Sequence, residues 1–463
     1  KARGVRREER VLVALPDGLD FVGAFFGVLR IGAVVVMINP GLTPEDIAAQ
    51  VDYTRARLLI TDADHADAFR PLAEASPWLE GGLLAVDAEG ADGLDAALAE
   101  ADADAPPMAA THCDDAAVWL YSGGTTGRPK AVVQTHRSFV NTTVLYAQRT
   151  LGYGPDDVTI SVPKLYFGYA TGSNLLFPFS VGASAVLFDG PPTPEALFER
   201  IARHRATVLI NVPTVVRRMV AHPQAAEQDL SSLRLATSAG EALPSSLHQR
   251  WADVFDVPLL DGLGTAEMWH VFLTNRVDDV RPGTLGRAVD GFELDVRSAD
   301  GEPVGPDEIG RLWVKGDSRA IGYWQHMEKS ADAFRGRWFV SGDLVRRDAD
   351  GYVTFCGRGD DAIKVVGRWL IPREVEECLM GHPEVRECAV IGAPDAEGLT
   401  KPFAFVLPGP DADLGALEAT LQEHCLCHLD AYKHPRRVIT VDSWPRTHLG
   451  KIDRGALRRR LES

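Results

Sequence analysis

Tyr121-Ser122-Gly123-Gly124-Thr125-Thr126-Gly127-Arg128-Pro129-Lys130 is the stretch on which the reading of this chain turns. It follows an apolar, strand-like run, Ala116-Ala117-Val118-Trp119-Leu120. Gly123, Gly124 and Gly127 let the backbone turn tightly and come close to an anion. Ser122, Thr125 and Thr126 add hydroxyl donors, and Lys130 adds a fixed positive charge. This is chemistry for holding phosphate. It is not a Walker A loop, in which the lysine directly follows the last glycine; here Arg128 and Pro129 intervene. A plain solvated Gly/Thr turn remains the alternative until the rest of the chain is weighed.

Upstream of the loop, apolar strand-like runs alternate with amphipathic ones. Residues 11–15 read as a strand, 19–29 as a helix, 33–38 as a strand, 43–53 as a helix opened by Thr-Pro-Glu-Asp, and 58–61 as a strand. Such alternation builds parallel sheets covered by helices, so the predicted class is α/β. Residues 88–108 are rich in Ala, Asp and Gly and read as a surface connector. Over 310–355, short alternating runs and turn signals predict a β-rich subdomain. Beyond Gly357-Arg358-Gly359-Asp360-Asp361 come a loop, a helix opening at Pro372-Arg373-Glu374, and a strand at Cys388-Ala389-Val390-Ile391-Gly392. This predicts a small α+β domain of about 100 residues. The expected division is 1–359 and 360–463.

Composition limits the partners. The 463 residues carry 48 Lys plus Arg against 65 Asp plus Glu, a net charge of −17. That balance argues against nucleic acid and against anionic membrane as the main partner. No apolar run reaches the roughly 20 residues a membrane span needs, and no signal peptide is visible. A cytoplasmic location is the default expectation. The chain opens on Lys1 rather than Met, which points to missing N-terminal residues. Its 6 cysteines are sparse and read as reduced thiols. His424-Cys425-Leu426-Cys427-His428 lacks the usual zinc spacing and a second cysteine pair, and reads as a helix end with incidental thiols rather than a metal site.

Four further segments place glycine and charge where a ligand could sit: Ser238-Ala239-Gly240-Glu241-Ala242, Asp261-Gly262-Leu263-Gly264-Thr265-Ala266-Glu267-Met268, Phe339-Val340-Ser341-Gly342-Asp343, and Pro445-Arg446-Thr447-His448-Leu449-Gly450-Lys451. Each alone reads as a plain turn. In this order and spacing, together with the opening loop, they resemble the adenylate-forming superfamily of acyl-CoA synthetases, adenylation domains and luciferases. Within it the chain is most similar to the benzoate and aryl-CoA ligases, through Lys164-Leu165-Tyr166-Phe167-Gly168-Tyr169, Thr265-Ala266-Glu267-Met268-Trp269-His270 and Tyr432-Lys433-His434-Pro435-Arg436.

The resemblance implies a large N-terminal domain of helix-covered sheets with a β-rich subdomain, and a small C-terminal domain on a hinge. It implies two steps: a carboxylate attacks ATP to give an acyl-adenylate and pyrophosphate, and the thiol of CoA then displaces AMP. It carries the following roles over. Ser122, Gly123, Gly124, Thr125, Thr126 and Gly127 cradle phosphates, with Thr126 and Lys130 catalytic. Glu267 binds Mg²⁺. Gly240, Glu241 and Ala242, with Asp261, Gly262, Leu263, Gly264 and Thr265, wall the nucleotide. Asp343 accepts from the ribose hydroxyls, assisted by Arg358. Lys451 acts in the first step only, Asp360 is the hinge, and Val366 and Gly367 line the thiol tunnel. Ala131, Ala266, Val366 and Leu449 depart from the usual Gly, Thr, Ser and Thr.

Relatives that activate amino acids carry an Asp where this chain has Gly168, so an α-amino acid would leave its ammonium unpaired. Phe167, Tyr169, Ala170, Thr171 and His270 suggest a flat aromatic slot, with ordinary core packing as the alternative. Benzoate-like acids are the expected substrates, with His270 or Thr171 as partner to a ring substituent. Other functions on the same frame are transfer to an acyl carrier protein, ATP-dependent diazo formation from nitrite and an aryl amine, and nucleotide binding without turnover.

Overall fold

The computed structural model describes residues 2–88, 90, 92–101, 107–122, 130–365, 368–395, 397–410, 412–446 and 452–462. Arg10–Ala14 and Val34–Met37 are nearly continuous runs of buried aliphatic residues. That pattern belongs to parallel strands covered on both faces. Arg10–Ala14 pairs in parallel with Val34–Met37 on one side and with Leu58–Asp62 on the other. The complete sheet has seven strands in the order Gly322–Tyr323, Lys130–Thr135, Ala116–Ser122, Val34–Met37, Arg10–Ala14, Leu58–Asp62, Leu83–Val86. Only its first two pairings are antiparallel.

The predicted helices form as Leu19–Arg30 and Pro44–Thr54. The first buries Phe21, Phe25 and Val28, spaced at helical intervals on one stripe. Thr43 caps the second by accepting the Asp46 N–H at 3.2 Å, with Pro44 at the first helical position. The stretch 88–108 is more structured than a connector, because its alanines and leucines wind the short helix Leu94–Glu100.

A second seven-stranded sheet runs Arg287–Ala288, Val271–Thr274, Leu259–Gly264, Leu235–Ser238, Val208–Asn211, Val158–Ser161, Ser184–Val186. Its core holds Leu209, Ala236, Leu259 and Trp251. Over 310–355 the predicted β-rich pattern appears as Ile309–Lys315, Trp338–Arg347 and Val353–Arg358, the last two an antiparallel pair.

Packing divides the chain into two compact units. One contains Lys1–Ser122, Pro129–Leu294 and Val314–Phe339; the other contains Asp295–Trp313 and Val340–Ser463. The expected boundary at 359/360 falls inside the second unit. That unit contains the three-stranded sheet Val385–Pro394, Thr400–Pro408, Arg437–Thr440 and the helices Pro372–Met380, Leu417–His428 and Arg454–Glu462. Val375, Leu379, Val390, Leu421 and Cys425 form its core. No helix among the described residues is long and apolar enough to cross a membrane.

Candidate active site

Leu259–Gly264 is the last parallel strand of the second sheet, and Val271–Thr274 returns antiparallel beside it. Residues 261–264, read from sequence as a turn, are therefore strand. Their glycines serve close packing instead. A Cβ on Gly262 would lie 2.8 Å from the Leu273 carbonyl oxygen, and one on Gly264 would lie 2.7 Å from the His270 carbonyl. Asp261 is buried on this strand, and its own carbonyl accepts the Asn275 N–H at 3.1 Å.

The link between the two strands carries the acidic residue. Thr265 accepts the Met268 N–H at 3.3 Å and so caps a 3₁₀ turn, Ala266–Met268. The hydroxyl that stands one place early in the sequence thus has a structural use. Gln134 Nε2 donates to the Ala266 carbonyl at 2.6 Å and ties the turn to the first sheet. Trp269 follows at φ 67°, ψ −51°, with the His270 N–H donating to the Met268 carbonyl at 2.8 Å. This is a γ-turn at positive φ, a strained conformation costing on the order of 1–3 kcal/mol. The fully buried Trp269 indole packs on Phe139, centroids 4.5 Å apart, which holds the turn in place.

On one side of that turn, Glu267 is buried and accepts the Tyr323 hydroxyl at 2.9 Å. Tyr323 stands on the edge strand beside Lys130–Thr135, and the Lys130 ammonium lies 4.4 Å from the centre of its ring. Lys130 and Glu267 therefore converge on one tyrosine. Ser122 lies opposite Lys130 in the hairpin register.

His270, three residues beyond Glu267, meets a different environment. Its Nε2 lies 3.0 Å from the Tyr169 carbonyl and 3.1 Å from Ser173 Oγ. A carbonyl only accepts, so Nε2 carries the hydrogen and Nδ1 the lone pair. The rings of Phe177, Tyr146 and Tyr169 stand 4.7, 5.3 and 5.4 Å from the imidazole centre. A Cβ on Gly172 would fall 2.4 Å from His270 Cδ2, so only glycine lets the ring lie against the backbone at this position. Burial lowers the His270 pKa to about 4, which keeps the imidazole neutral.

The predicted substrate segment lies beside it. Tyr169 shares a hydrogen bond of 2.7 Å with Thr237. Phe167 is half-buried, its ring 4.7 Å from that of Tyr166. Ala170 is fully buried in the core of the first sheet. Thr171 is buried, and its hydroxyl donates to the Leu165 carbonyl at 2.6 Å. Asp17 accepts the Leu165 N–H at 2.7 Å and anchors the same loop; burial pushes its carboxyl up to about 6. A Cβ on Gly168 would lie 2.9 Å from Leu120 Cδ1. Gly240 is at φ +87°, and the exposed Glu241 accepts from the N–H and hydroxyl of Thr214 at 3.0 and 2.7 Å. Ala242 is exposed next to it.

Residues 339–343 were read as a turn but belong to the strand Trp338–Arg347. Gly342 misled that reading, because its real task is to admit a guanidinium: a Cβ there would lie 2.4 Å from Arg358 Nη2. Asp343 faces Arg358 in register and accepts from Nη1 at 2.8 Å, while the Ser341 hydroxyl donates to its other oxygen. Asp360 sits in the turn Gly359–Asp361, 3.9 Å from Arg358 Nη2. Arg446 and Ile452 are bridged, and Arg454 pairs with Glu376 at 2.7 Å. Gly123, Gly124, Thr125, Thr126, Gly127, Val366, Gly367, Leu449 and Lys451 lie outside the described residues.

Sequence reasoning missed Tyr323, Gln134, Tyr146, Phe177 and Asp17, which reach the site only through tertiary packing. Ser341 was available to it, standing two residues before Asp343 and so on the same face of a strand.

Comparison with known proteins gives the family. The family model described as AMP-binding enzyme matches residues 1–324, and the one described as AMP-binding enzyme C-terminal domain matches residues 374–451. The chain is 40% identical over 457 residues to a benzoate–CoA ligase of Thauera aromatica, spanning 98% of this chain and 86% of that protein. It is similar to the crystal structure of a benzoate CoA ligase from Burkholderia xenovorans LB400, with 38% identity, a TM-score of 0.88, and coverage of 99% of this chain and 91% of that one. It is also similar to the anthranilate CoA ligase AuaEII in complex with anthranoyl-AMP, with 36% identity, a TM-score of 0.92, and coverage of 99% and 88%. The chain belongs to the AMP-binding enzyme family.

Proposed function

We propose that this protein activates a benzoate-like aromatic acid with ATP, releasing pyrophosphate and forming an aroyl-adenylate, and then transfers the aroyl group to the thiol of CoA with release of AMP. The observation that carries this reading is the 40% identity to a benzoate–CoA ligase over 98% of this chain, and the rings of Tyr146, Tyr169 and Phe177 packed on a neutral, buried His270, three residues from a buried carboxylate, accord with it. The rings give this part of the first unit an aromatic, apolar character, and the carboxylate suits a cation beside phosphate. The 40% identity to a benzoate–CoA ligase supports the same substrate class.

The donor chemistry at Glu267 fits Mg²⁺. The carboxylate is buried, it accepts from a neutral phenol, and among the described residues it has no ion-pair partner. Mg²⁺ when bound supplies charge neutralisation at phosphate oxygens. Glu267 would hold it, the 3₁₀ turn fixes that carboxylate, and Gln134 fixes the turn. Lys130 and residues 122–127 orient the departing phosphates. Residues 240–242 and 261–265 wall the nucleotide, and Asp343 with Arg358 receives the ribose hydroxyls. Lys451 stabilises charge in the first step. On the same reading the chain pivots at Asp360, so that residues 360–463 withdraw Lys451 and present Val366 and Gly367 to the thiol.

The test is pyrophosphate release from ATP and Mg²⁺ across benzoates, cinnamates, fatty acids and amino acids, with and without CoA. Release selective for aryl acids, with an aroyl-CoA product only when CoA is present, is the expected result. Selective release with no CoA thioester would replace CoA by a carrier protein or another acceptor. Release led by fatty acids or amino acids would overturn the aryl assignment.

A further inference from the structure

Outside the active site, two helices of the second unit bring soft metal ligands together. His424 and His428 stand one turn apart on Leu417–His428, with ring centroids 4.3 Å apart. Cys378 comes from Pro372–Met380, packed alongside. One ligand atom from each of the three lies within 4.8 Å of the other two.

Hydrogen bonding fixes the tautomer of both imidazoles. His424 Nε2 lies 3.1 Å from the Cys378 carbonyl, and His428 Nδ1 lies 2.8 Å from the His424 carbonyl. Each of those nitrogens must carry the hydrogen, which leaves a lone pair on His424 Nδ1 and on His428 Nε2. Metal-bound histidines hold their second nitrogen on a backbone carbonyl or carboxylate in this manner. Exposure of His428 leaves room for water as a fourth ligand.

The exposed trio His112, Cys113 and Asp114 makes a useful contrast. There the Arg137 guanidinium already sits 2.7 Å from Asp114 and 2.9 Å from Cys113 Sγ, so a cation occupies the place of a metal. No arginine or lysine bond of this kind is made to Cys378, His424 or His428 among the described residues.

We propose that Cys378, His424 and His428 form a binding site for a thiophilic divalent transition metal, Zn²⁺ by ligand chemistry, that clips the two helices together. Two imidazoles, one thiolate and a water complete the four-coordinate sphere that zinc prefers. Binding releases the Cys378 thiol proton to solvent and changes no oxidation state. Sequence spacing hid the site. It drew attention to Cys425 and Cys427, yet Cys425 is buried in the core and the sulfur ligand lies 46 residues upstream of His424.

The test is titration of the full chain with CoCl₂, followed by its near-ultraviolet thiolate-to-cobalt band, with displacement by ZnCl₂ and with melting curves. The wild type is expected to give a band that saturates at one equivalent, and a higher Tm with Zn²⁺. Cys378→Ser should abolish the band. His428→Gln, an exposed change that spares the fold, should weaken binding by at least about tenfold and remove the Tm rise. His112→Gln should change neither. Absence of the band in the wild type, its survival in Cys378→Ser, or wild-type affinity in His428→Gln would overturn the site.

Discussion

Glu267 and Asp343 are both buried carboxylates, and each is aimed by a neighbouring hydroxyl, but they differ in how their charge is met. Asp343 accepts a guanidinium at 2.8 Å from its cross-strand partner Arg358. Glu267 accepts only a neutral phenol among the described residues, and the nearby Lys130 ammonium lies 4.4 Å from the centre of that phenol's ring. A buried carboxylate without a paired charge is costly. The arrangement suits a residue whose counter-charge arrives with the substrate, whereas Asp343 is already compensated and suits the recognition of neutral hydroxyls. The difference teaches that one carboxylate should matter for the rate of charge transfer and the other for nucleotide affinity.

The sharpest way to break this contrast is Glu267→Gln. The amide can still accept the Tyr323 hydroxyl, so folding should be preserved while the negative charge is lost. Adenylation kcat should fall by roughly 10²–10³-fold, as when a preorganised electrostatic group is removed, and excess Mg²⁺ should recover part of it. An unchanged kcat with a raised KM for ATP would make Glu267 a second Asp343.

The next effect is on stability. His270 titrates near 4 in the fold against 6.5 unfolded, because burial disfavours its charged form. A base with a lowered folded pKa leaves stability intact above 6.5 and loses it as pH falls from there to 4. The loss amounts to roughly 3 kcal/mol, at about 1.4 per pH unit. Asp17 works in the opposite sense, since its raised pKa of about 6 lowers stability as pH rises from 3.8 to 6. Chemical denaturation across pH 4–7 should show His270→Gln losing less stability on acidification than the wild type. Parallel curves would mean that water reaches the imidazole.

Much of the fold was legible because hydrophobic runs such as 34–37 have no polar alternation and admit only a covered parallel strand. In the candidate site, residue type and order pointed to Glu267, Asp343 and Arg358, and the structure shows both carboxylates buried and Asp343 paired with Arg358. Two readings failed for one physical reason. Gly262, Gly264 and Gly342 were taken as turn formers, but each lies within a strand where a neighbouring backbone or guanidinium needs the space of a side chain. Tyr323 was invisible for another reason. It meets Glu267 across 56 positions, through pairing of Gly322–Tyr323 with the Lys130 strand, and no local pattern encodes that pairing.

Two smaller changes sharpen the comparison from each side. Asp343→Asn removes the charge that binds Arg358 and weakens an acceptor, so the KM for ATP should rise by roughly 10- to 100-fold, in line with hydrogen bonds to charged groups, while kcat changes little. Tyr323→Phe is the finest probe, because it keeps the ring beneath Lys130 and deletes only the hydroxyl that aims Glu267. One neutral donor is worth about 1 kcal/mol, so adenylation should slow by roughly fivefold, with the loss appearing as a higher Mg²⁺ requirement. Combined with Glu267→Gln it should cost almost nothing more, since the hydroxyl then has no charge to position. Full additivity in the double variant would mean that Tyr323 acts on Lys130 and not on Glu267, and the two carboxylates would have to be compared through their cations instead.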